Sequence, residues 1–500
     1  MSTTRTLLRN SLFRNANFLF TIAVSLVMTP FIVRSLGVRY YGFWTLVGTF
    51  IGYYGLLDLG LSSAVSRYVS QALGKNDYRT MSSTAGTAFG LFTAIGSVAL
   101  LATFVVAGAS PLFIHDPGEA LLFKKVFLLM GITVAAGFPF RVFSGILASF
   151  LRHDYLALIS MIRTAGANVC VYVLLSRGHG ILSLVIVNCC ASLFEYGATY
   201  VVCRIRFPEV KTGLKDFDRA KTGELFRYSG KTMLIQIADL LRFKVDAFVI
   251  AVFLNVNLVT YYSVGSRLVD YFGSFIVSTT GFVSPLFSQY EGRGMYEALT
   301  RRFLDVTRIC TVLSIFIGVS LIFYGKTFIA RWMGPGFESS YYVAVILCVP
   351  AIIALTQTPG LQLLYALSKH HYYAMSNIAE GVLNLVLSVI LVHHYGMYGV
   401  ALGTAAEMLL FKIFIQPFFV CRAIGLPVTE YMTTILGTAM KATLPLLVYF
   451  YFMTGYLKAD YARILAIATV QSVLFLPLVY FFMLNNEMKG RIRGALGMGQ

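Results

Sequence analysis

Ionisable side chains interrupt the long apolar stretches of this sequence, at positions that a membrane-spanning helix would place in hydrocarbon. The basic members are Arg141, Arg163, Arg242, Lys244 and Arg267. The acidic members include Asp58, Asp239, Asp246, Asp270 and Glu380. Such groups are costly at bilayer depth and usually face a partner or a water-filled cavity. A guanidinium binds two phosphate oxygens at once, and a carboxylate buried beside it can take up and release a proton. We therefore predict that the five basic residues form a cationic cavity for an anionic substrate, with the carboxylates in coupling or gating roles.

Helical spacing also predicts ion pairs within this set. Asp239, Arg242 and Asp246 fall on one helix face. Arg242 can pair with Asp246 one turn further on, and Arg267 can pair with Asp270 in the next stretch. Ion pairing and anion binding are compatible, because an arginine can hold a carboxylate when the site is empty and a phosphate when it is loaded.

The composition indicates an all-α polytopic membrane protein. The chain has 500 residues, of which 57% are hydrophobic and 12% are charged, whereas soluble proteins have about 25% charged residues. In a soluble protein the net charge of +18 would suggest nucleic acid as a partner. Here it is explained by cytoplasmic loops, which collect Lys and Arg. The seven cysteines form no CxxC pair, so neither disulfides nor a metal site are expected. There is no phosphate-binding loop of the GxxxxGK[ST] type and no convincing enzyme motif. We therefore predict a protein that is not an enzyme.

The apolar stretches predict fourteen membrane spans with both chain ends in the cytoplasm. Each stretch is long enough to cross a bilayer as a helix. With this orientation, the cytoplasmic segments contain most of the Lys and Arg residues that lie outside the spans, as is usual for loops on that side of the membrane. The expected location is the cell inner membrane.

The two halves of the chain repeat each other at a constant separation of 218 residues. Ser70-Gln71-x-x-Gly74-Lys75-x-x-Tyr78 returns as Ser288-Gln289-x-x-Gly292-Arg293-x-x-Tyr296. Further matches at the same separation are Leu36-x-Val38 with Leu254-x-Val256, His153-x-Tyr155 with His371-x-Tyr373, and Gly178 with Gly396. Internal duplication of hydrophobic segments is typical of secondary transporters. The separation equals six spans, so both copies are expected to insert the same way up.

This repeat predicts the domain organisation. Residues 1–203 form an N-terminal lobe of spans 1–6, and residues 227–420 form a C-terminal lobe of spans 7–12. Residues 204–226 form a cytoplasmic linker. The Lys/Arg-rich stretch from Arg204 to Lys231 contains an amphipathic piece, Gly213–Tyr228, which is predicted either to lie on the inner leaflet or to be a plain solvated loop. Residues 421–500 add spans 13–14 and a basic C-terminal tail.

Three motifs near the N-terminus resemble those of one family. They are Leu36-Gly37-x-x-Tyr40-Tyr41-Gly42-x-Trp44, Leu57-Asp58-Leu59-Gly60-Leu61, and Arg67-Tyr68-Val69 followed by Gly74-Lys75-Asn76-Asp77. This pattern resembles the Wzx-type O-antigen and exopolysaccharide flippases of the MOP superfamily, which also contains the MATE drug exporters and the lipid II flippases. Of the predicted site residues, Asp58 and Arg67 lie within these motifs, and both are assigned to coupling or gating.

The resemblance implies two pseudo-symmetric six-helix lobes and two extra C-terminal helices in a MATE-like fold. It also implies a central cavity that opens alternately to each side. The implied cargo is a polyprenyl-pyrophosphate-linked oligosaccharide, moved from the cytoplasmic to the outer leaflet for surface polysaccharide such as lipopolysaccharide. No cofactor is expected, and the coupling ion would be a proton or Na⁺. The expected partners are membrane lipids and the polysaccharide polymerase machinery, with no nucleic acid, and a monomer is the default.

Three other functions remain open. A MATE-type cation-coupled drug exporter shares the topology, but its cationic cargo calls for a net acidic cavity, whereas basic and acidic groups within these spans balance. A lipid II flippase carries cargo with the same headgroup. A membrane scaffold without transport is a different class, which a loss of transport on substitution of a cavity arginine would exclude.

Overall fold

The computed structural model describes residues 3–112, 116–227, 245–280, 283–367, 369, 371–458, 460–483 and 489. All regular elements in these ranges are helices, and the predicted all-α class is confirmed. The chain divides into two compact units, Met1–Thr260 and Tyr261–Gln500, named here the N-terminal unit and the C-terminal unit. The finer predicted division into 1–203, 204–226, 227–420 and 421–500 stays a prediction.

The helices described up to Thr280 follow one another with short connections as far as Arg206. They are α1 (Thr3–Tyr53), α2 (Leu61–Gly74), α3 (Tyr78–Gly108), α4 (Pro117–Gly137), α5 (Arg141–Ser149), α6 (His153–Ser176), α7 (Ile181–Arg206), α8 (Asp246–Phe253) and α9 (Val256–Thr280). Short 3₁₀ turns at Tyr54–Asp58 and Phe138–Phe140 precede α2 and α5.

The helices described from Val283 onwards are also joined by short connections. They are α10 (Val283–Gly292), α11 (Tyr296–Trp332), α12 (Glu338–Thr356), α13 (Thr358–Ala366), α14 (His371–Leu410), α15 (Gln416–Ile424), α16 (Val428–Met453) and α17 (Tyr461–Leu478). A π-helical turn, Phe411–Ile415, joins α14 to α15.

Ten helical segments in the described part of the chain are long and apolar enough to cross a membrane. Two of them, Leu12–Asp58 and Met375–Ile424, have 47 and 50 residues, which is enough for two crossings each. In each of them the helical backbone is interrupted at one glycine with positive φ, Gly37 at 80° and Gly396 at 58°. Glycine adopts this conformation without steric cost. This arrangement is consistent with fourteen spans, although most of the seventh predicted span lies outside the described residues.

The helix boundaries follow the sequence repeat. Helices α2 and α10 end at Gly74 and Gly292, and α3 and α11 begin at Tyr78 and Tyr296. Helices α6 and α14 begin at His153 and His371. Gly178 and Gly396 both have positive φ, at the turns that follow α6 and divide α14. The duplication is therefore one of local structure as well as of sequence.

Three predicted spans are each divided in two. The second is broken at Tyr54–Asp58, where Leu59 and Gly60 have φ of 52° and 76°. The fourth is broken at Phe138–Phe140, and the tenth at Gln357. Pro139 and Pro359 account for the last two breaks, because proline lacks the N–H that a continuous helix requires.

The two helices beyond the repeat pack on α11. Phe450 of α16 stacks on Phe323, with 4.0 Å between ring centroids. Gln471 of α17 accepts a 2.8 Å hydrogen bond from Tyr324 and donates one of 2.6 Å to the Ser320 hydroxyl. These buried polar contacts fix α17 in one register against α11.

Candidate functional site

Asp58 lies at the break before α2 and accepts hydrogen bonds from two residues. Its Oδ1 accepts the Ser62 backbone N–H at 3.0 Å, and its Oδ2 accepts the Ser62 hydroxyl at 2.7 Å. Oδ2 also accepts a hydrogen bond from Nη1 of Arg141 at 3.1 Å. The carboxylate is thus held both by the N-terminus of α2, which favours negative charge, and by an arginine that the sequence predicted for the cationic cavity.

Arg141 owes its position to the break in the fourth span. It is the first residue of α5, directly after Phe138–Phe140. Its guanidinium carbon lies 4.3 Å from the centroid of the Phe138 ring, a cation–π distance. The side chain remains partly exposed. A continuous helix through Pro139 would have placed this arginine on a different face.

Arg163 and Glu195 form a second ion pair between α6 and α7. Their side-chain atoms are 3.1 Å apart, and the two side chains are 33% and 37% exposed. The neighbouring Tyr196 follows Glu195 in the chain, and its ring lies against Gly137, four residues before Arg141. The N-terminal unit therefore gathers two predicted cavity arginines around one tyrosine, and each of them has a carboxylate partner.

Aromatic rings continue from this cluster along one face of α7. Tyr196 stacks on Phe140 with 6.0 Å between centroids, and Gly137 leaves the space that its ring occupies. One helical turn on, Tyr200 meets the Phe143 ring at 4.9 Å. This row of rings is named here the aromatic column. It was not predicted from the sequence, although Tyr196, Tyr200 and Arg204 have the four-residue spacing that places them on one face.

The column ends at Arg204, in the last turn of α7. Its guanidinium carbon lies 5.5 Å from the Tyr200 ring and 5.7 Å from the Phe143 ring. The same guanidinium donates to the Thr212 hydroxyl at 2.6 Å. The rings thus connect the Arg141–Arg163 cluster with the end of α7.

The C-terminal unit contains an ion pair that is almost fully buried. Nζ of Lys412 donates to Oε1 of Glu380 at 2.7 Å, and the side chains are 4% and 0% exposed. Lys412 lies in the π-helical turn, and its carbonyl accepts a hydrogen bond from the Gln357 side chain. Such turns occur often at functional sites. Glu380 was predicted from sequence, but its pairing with Lys412 was not.

Glu380 belongs to a polar stripe on α14. Asn377, Asn384 and Ser388 are fully buried with it. Oδ1 of Asn384 accepts hydrogen bonds from the Ser388 hydroxyl at 3.0 Å and the Thr404 hydroxyl at 3.1 Å. The stripe lies inside the C-terminal unit, where a polar interior is costly unless its groups are paired.

The two ion pairs have the same sequence spacing. Glu380 and Lys412 are 32 residues apart, and so are Arg163 and Glu195. Each pair spans a turn glycine with positive φ, Gly178 or Gly396. The polarity is reversed, because the base precedes the acid in the first half and follows it in the second.

Several predicted residues lie elsewhere. Asp246 begins α8, is buried, and interacts electrostatically with Tyr53. Arg67 is exposed on α2. On α9, Arg267 is half-buried and Asp270 is exposed.

Other predictions fall beyond the described residues. They concern Asp239, Arg242 and Lys244, together with the Arg242–Asp246 pairing. In the described ranges, no three His, Cys, Asp or Glu side chains are grouped so that they could hold a metal ion. The predicted absence of a cofactor, and the choice of coupling ion, stay predictions.

This all-helical, multi-pass fold with charged side chains inside its spans defines a membrane protein of the transporter type. Residues 18–341 match the family described as polysaccharide biosynthesis protein. That match covers more than half of the chain, and the chain belongs to this family.

The relatives are named as membrane and transport proteins. The chain is 23% identical over 444 residues to the uncharacterized membrane protein EpsK of Bacillus subtilis, and the aligned region covers 85% of each chain. It is 21% identical over 422 residues to a putative O-antigen transporter of Shigella flexneri, covering 82% of this chain and 97% of that one. A probable low-salt glycan biosynthesis flippase, Agl15 of Haloferax volcanii, is 23% identical over 197 residues, 39% of this chain and 42% of its own.

Solved structures confirm the predicted MATE-like fold. The lipid II flippase MurJ in an inward closed conformation matches with a TM-score of 0.70, at 14% identity, over 94% of this chain and 99% of that one. An inward-facing MATE multidrug transporter of the MOP superfamily matches with a TM-score of 0.66, at 15% identity, over 84% and 99%. At these identities the two matches show a shared fold.

Proposed function

We propose that this protein is a flippase that moves a polyprenyl-pyrophosphate-linked oligosaccharide from the cytoplasmic to the outer leaflet of the cell inner membrane. The family description and the relatives named as an O-antigen transporter and a glycan flippase support this cargo. The observation that carries the proposal is that the N-terminal unit holds two arginine–carboxylate pairs, Arg141–Asp58 and Arg163–Glu195, which Tyr196 connects by packing against Gly137. Each guanidinium group is paired with a carboxylate that a phosphate group can replace. Two such groups suit a ligand with two phosphates.

Asp58 can give up Arg141 at low cost. Its two hydrogen bonds from Ser62 do not involve the arginine, so a departing guanidinium leaves the carboxylate still hydrogen-bonded. The partner of Arg163 is partly exposed, and hydration offsets the loss of that ion pair. A pyrophosphate therefore replaces one anionic partner by another, and the arginines are never left uncompensated. On release the carboxylates return, which prevents the site from holding its cargo too tightly.

The aromatic column supplies a surface for the sugars. Tyr200 is 38% exposed, and its ring packs against Phe143 rather than being covered. Aromatic rings offer an apolar face, and tyrosine adds a hydroxyl, which together match the two kinds of surface on a sugar ring. In this proposal the pyrophosphate binds at Arg141 and Arg163 while the glycan lies along α7.

The buried pair of the C-terminal unit is proposed as the coupling element. Protonation of Glu380 would remove the charge that compensates Lys412 and leave an ammonium group in a dry interior, which is strongly unfavourable. Proton uptake would therefore favour a different packing of the π-helical turn. We propose that this change drives alternating access of a central cationic cavity, with a proton, or alternatively Na⁺, as the coupling ion and with both termini cytoplasmic.

The direct test is made in a deletion strain of the native host. We expect the polyprenyl-pyrophosphate-linked glycan to accumulate on the inner leaflet, and surface polysaccharide to be lost. Normal surface glycan together with raised sensitivity to cationic drugs would overturn the proposal in favour of a drug exporter. Accumulation of the peptidoglycan precursor lipid II instead would identify a lipid II flippase.

The exchange of partners at Arg141 makes a specific prediction for Asp58→Asn. The asparagine keeps an acceptor for Ser62 but competes weakly for the guanidinium, because charge-assisted hydrogen bonds are roughly twice as strong as neutral ones. We expect the half-saturating cargo concentration and the turnover number both to fall, by about tenfold. Proteoliposome flipping over a range of cargo concentrations measures both quantities. Ser62→Ala, which leaves the Asp58–Arg141 ion pair in place, is the control, and a raised half-saturating concentration in Asp58→Asn would contradict the exchange.

The sugar surface makes a second prediction. Tyr200→Ala should weaken binding of undecaprenyl-pyrophosphate-linked glycan about fivefold, since an aromatic stacking contact contributes about 1 kcal/mol. Tyr200→Phe keeps the ring and should retain most of the affinity. Binding of undecaprenyl pyrophosphate without sugar is the matched probe and should be the same in all three proteins. An equal loss of both ligands in Tyr200→Ala would assign this residue to the fold.

A further inference from the structure

The linker that follows α7 is docked against the first turns of α3. The Lys211 N–H donates to the Ser82 hydroxyl at 3.0 Å, and the Asp218 N–H donates to the Thr87 hydroxyl at 2.9 Å. Gly86 permits the close approach, since a Cβ at this position would lie 2.8 Å from the carbonyl oxygen of Gly213. The described part of the predicted segment is thus hydrogen-bonded to a membrane-spanning helix, and both predictions for its surroundings, inner leaflet or solvent, stay predictions.

Three further contacts hold the same segment. Arg204 donates to the Thr212 hydroxyl at 2.6 Å, and Phe207 stacks on Phe150 with 3.9 Å between ring centroids. Val210 is buried. The linker is consequently a fixed surface whose outward side chains have defined positions.

The docking site on α3 lies near the N-terminal end of that helix. Helix α3 has 31 residues, which gives about 46 Å at 1.5 Å per residue. A bilayer hydrocarbon core is about 30 Å thick, so several turns of α3 extend beyond it. The contacts with the linker fall between Ser82 and Thr87, within the first ten residues of the helix. The linker is therefore docked at one end of a helix that is long enough to cross the membrane.

Most of the exposed charged side chains on the docked linker are basic. Asp216 and Asp218 are half-buried towards α3, where Asp218 also accepts a hydrogen bond from the Ser83 hydroxyl. Glu224 is exposed and paired with Lys221 at 2.9 Å, and Glu209 is exposed as well. The exposed basic residues of the linker are Arg206, Lys211, Lys215, Arg219 and Arg227. The outward face is thus strongly basic although the segment as a whole contains acids.

Two large aromatic side chains of the docked linker are exposed. Phe217 is 45% exposed and Phe226 is 42% exposed. Phe217 has Lys215 and Arg219 two residues to either side, and Phe226 precedes Arg227. Segments that bind membrane interfaces likewise combine apolar side chains that insert with basic ones that attract anionic headgroups. We propose that residues 206–227, named here the basic platform, bind the anionic phospholipid headgroups of the leaflet beside which they lie.

The chemistry of the platform favours bulk phospholipid over a single high-affinity ligand. Lys211, Lys215 and Arg219 are exposed and well spaced along the segment, so they attract a layer of charge rather than enclosing one phosphate. Exposed Phe217 suits the boundary between headgroups and acyl chains. The platform also lies outside the Arg141–Arg163 cluster, and its proposed role does not depend on the proposed cargo.

Hydrogen–deuterium exchange of the full chain in nanodiscs tests the platform. The lipid is phosphatidylcholine alone, or equal parts of phosphatidylcholine and phosphatidylglycerol. We expect amides of residues 207–227 to exchange more slowly with phosphatidylglycerol present, and high salt to reduce the difference. The triple variant Lys211→Gln, Lys215→Gln, Arg219→Gln should lose the difference, because each charge near a membrane contributes about fivefold in affinity.

Two controls make the result specific. Lys124→Gln, Lys125→Gln, Arg177→Gln removes three exposed charges near the opposite ends of the helices and should leave the lipid response of the linker unchanged. Gly86→Leu should release the linker and raise its exchange in both lipids. Equal exchange in both lipids for the unsubstituted protein would overturn the proposal. A response to undecaprenyl pyrophosphate in phosphatidylcholine, with none to phosphatidylglycerol, would overturn it in favour of cargo recognition.

Discussion

Lys412→Met is expected to destabilise the C-terminal unit by about 3–5 kcal/mol, because it leaves the fully buried Glu380 carboxylate without the ammonium group that compensates its charge. The loss should appear as a large fall in the thermal unfolding temperature of the purified protein in detergent. The double variant Glu380→Gln, Lys412→Met removes both charges and should recover most of the stability, since a buried ion pair replaced by uncharged groups is often neutral or stabilising.

Arg163→Met is the matched control for this prediction. It breaks a pair with the same sequence spacing that is about one third exposed, so the expected loss is about 1 kcal/mol or less. The contrast isolates burial as the cause. A double variant no more stable than Lys412→Met would show that the π-helical turn needs the ammonium group itself. Flipping by the stable double variant, measured against pH, then tests the coupling role of Glu380, which should be lost with its titratable group.

Arg141→Ala should reduce flipping by roughly tenfold to a hundredfold, because hydrogen bonds from a charged donor to an anion contribute about 1.5–3 kcal/mol each. Arg141→Lys keeps the charge but not the planar fork, and it should retain part of the activity. The measurement is fluorescence-detected flipping of a polyprenyl-pyrophosphate lipid in proteoliposomes, with insertion checked by yield and unfolding temperature.

Arg177→Ala supplies the control for general loss of positive charge. This exposed residue follows the last residue of α6 and should flip cargo at the normal rate. Normal flipping by Arg141→Ala would exclude this arginine from the cationic cavity. Flipping that falls equally in Arg141→Ala and Arg177→Ala would indicate an effect of overall charge and not of the Asp58–Arg141 pair.

The sequence predicts much of this fold because the bilayer imposes length and polarity on every span. The interruptions of helical backbone at Gly37 and Gly396 agree with the predicted short hairpins. The repeat also correctly indicates where α3 and α11 begin. The break at Tyr54–Gly60 could not be predicted from composition. It depends on Asp58 being satisfied by Ser62 and Arg141, which lie in different elements.

The site is predicted in part. Charged residues within apolar stretches can be recognised in the sequence, whereas their ion-pair partners cannot. Asp58, Arg141, Arg163 and Glu380 were all selected from the sequence for their cost in hydrocarbon. Helical spacing gives only pairs within one helix. The observed partners of Arg163 and Glu380 lie one span away, at a distance of 32 residues in both cases, and their choice depends on how adjacent helices rotate against each other.

The common spacing of these two pairs carries information about ancestry. His153 and His371, like Gly178 and Gly396, align at 218 residues, yet Glu380 and Lys412 each fall one position short of the places that correspond to Arg163 and Glu195. The places equivalent to the first pair hold Gly381 and Ile413 instead. The two pairs are therefore not copies of one ancestral pair: the halves share helix boundaries but place their ion pairs at different positions of the repeat.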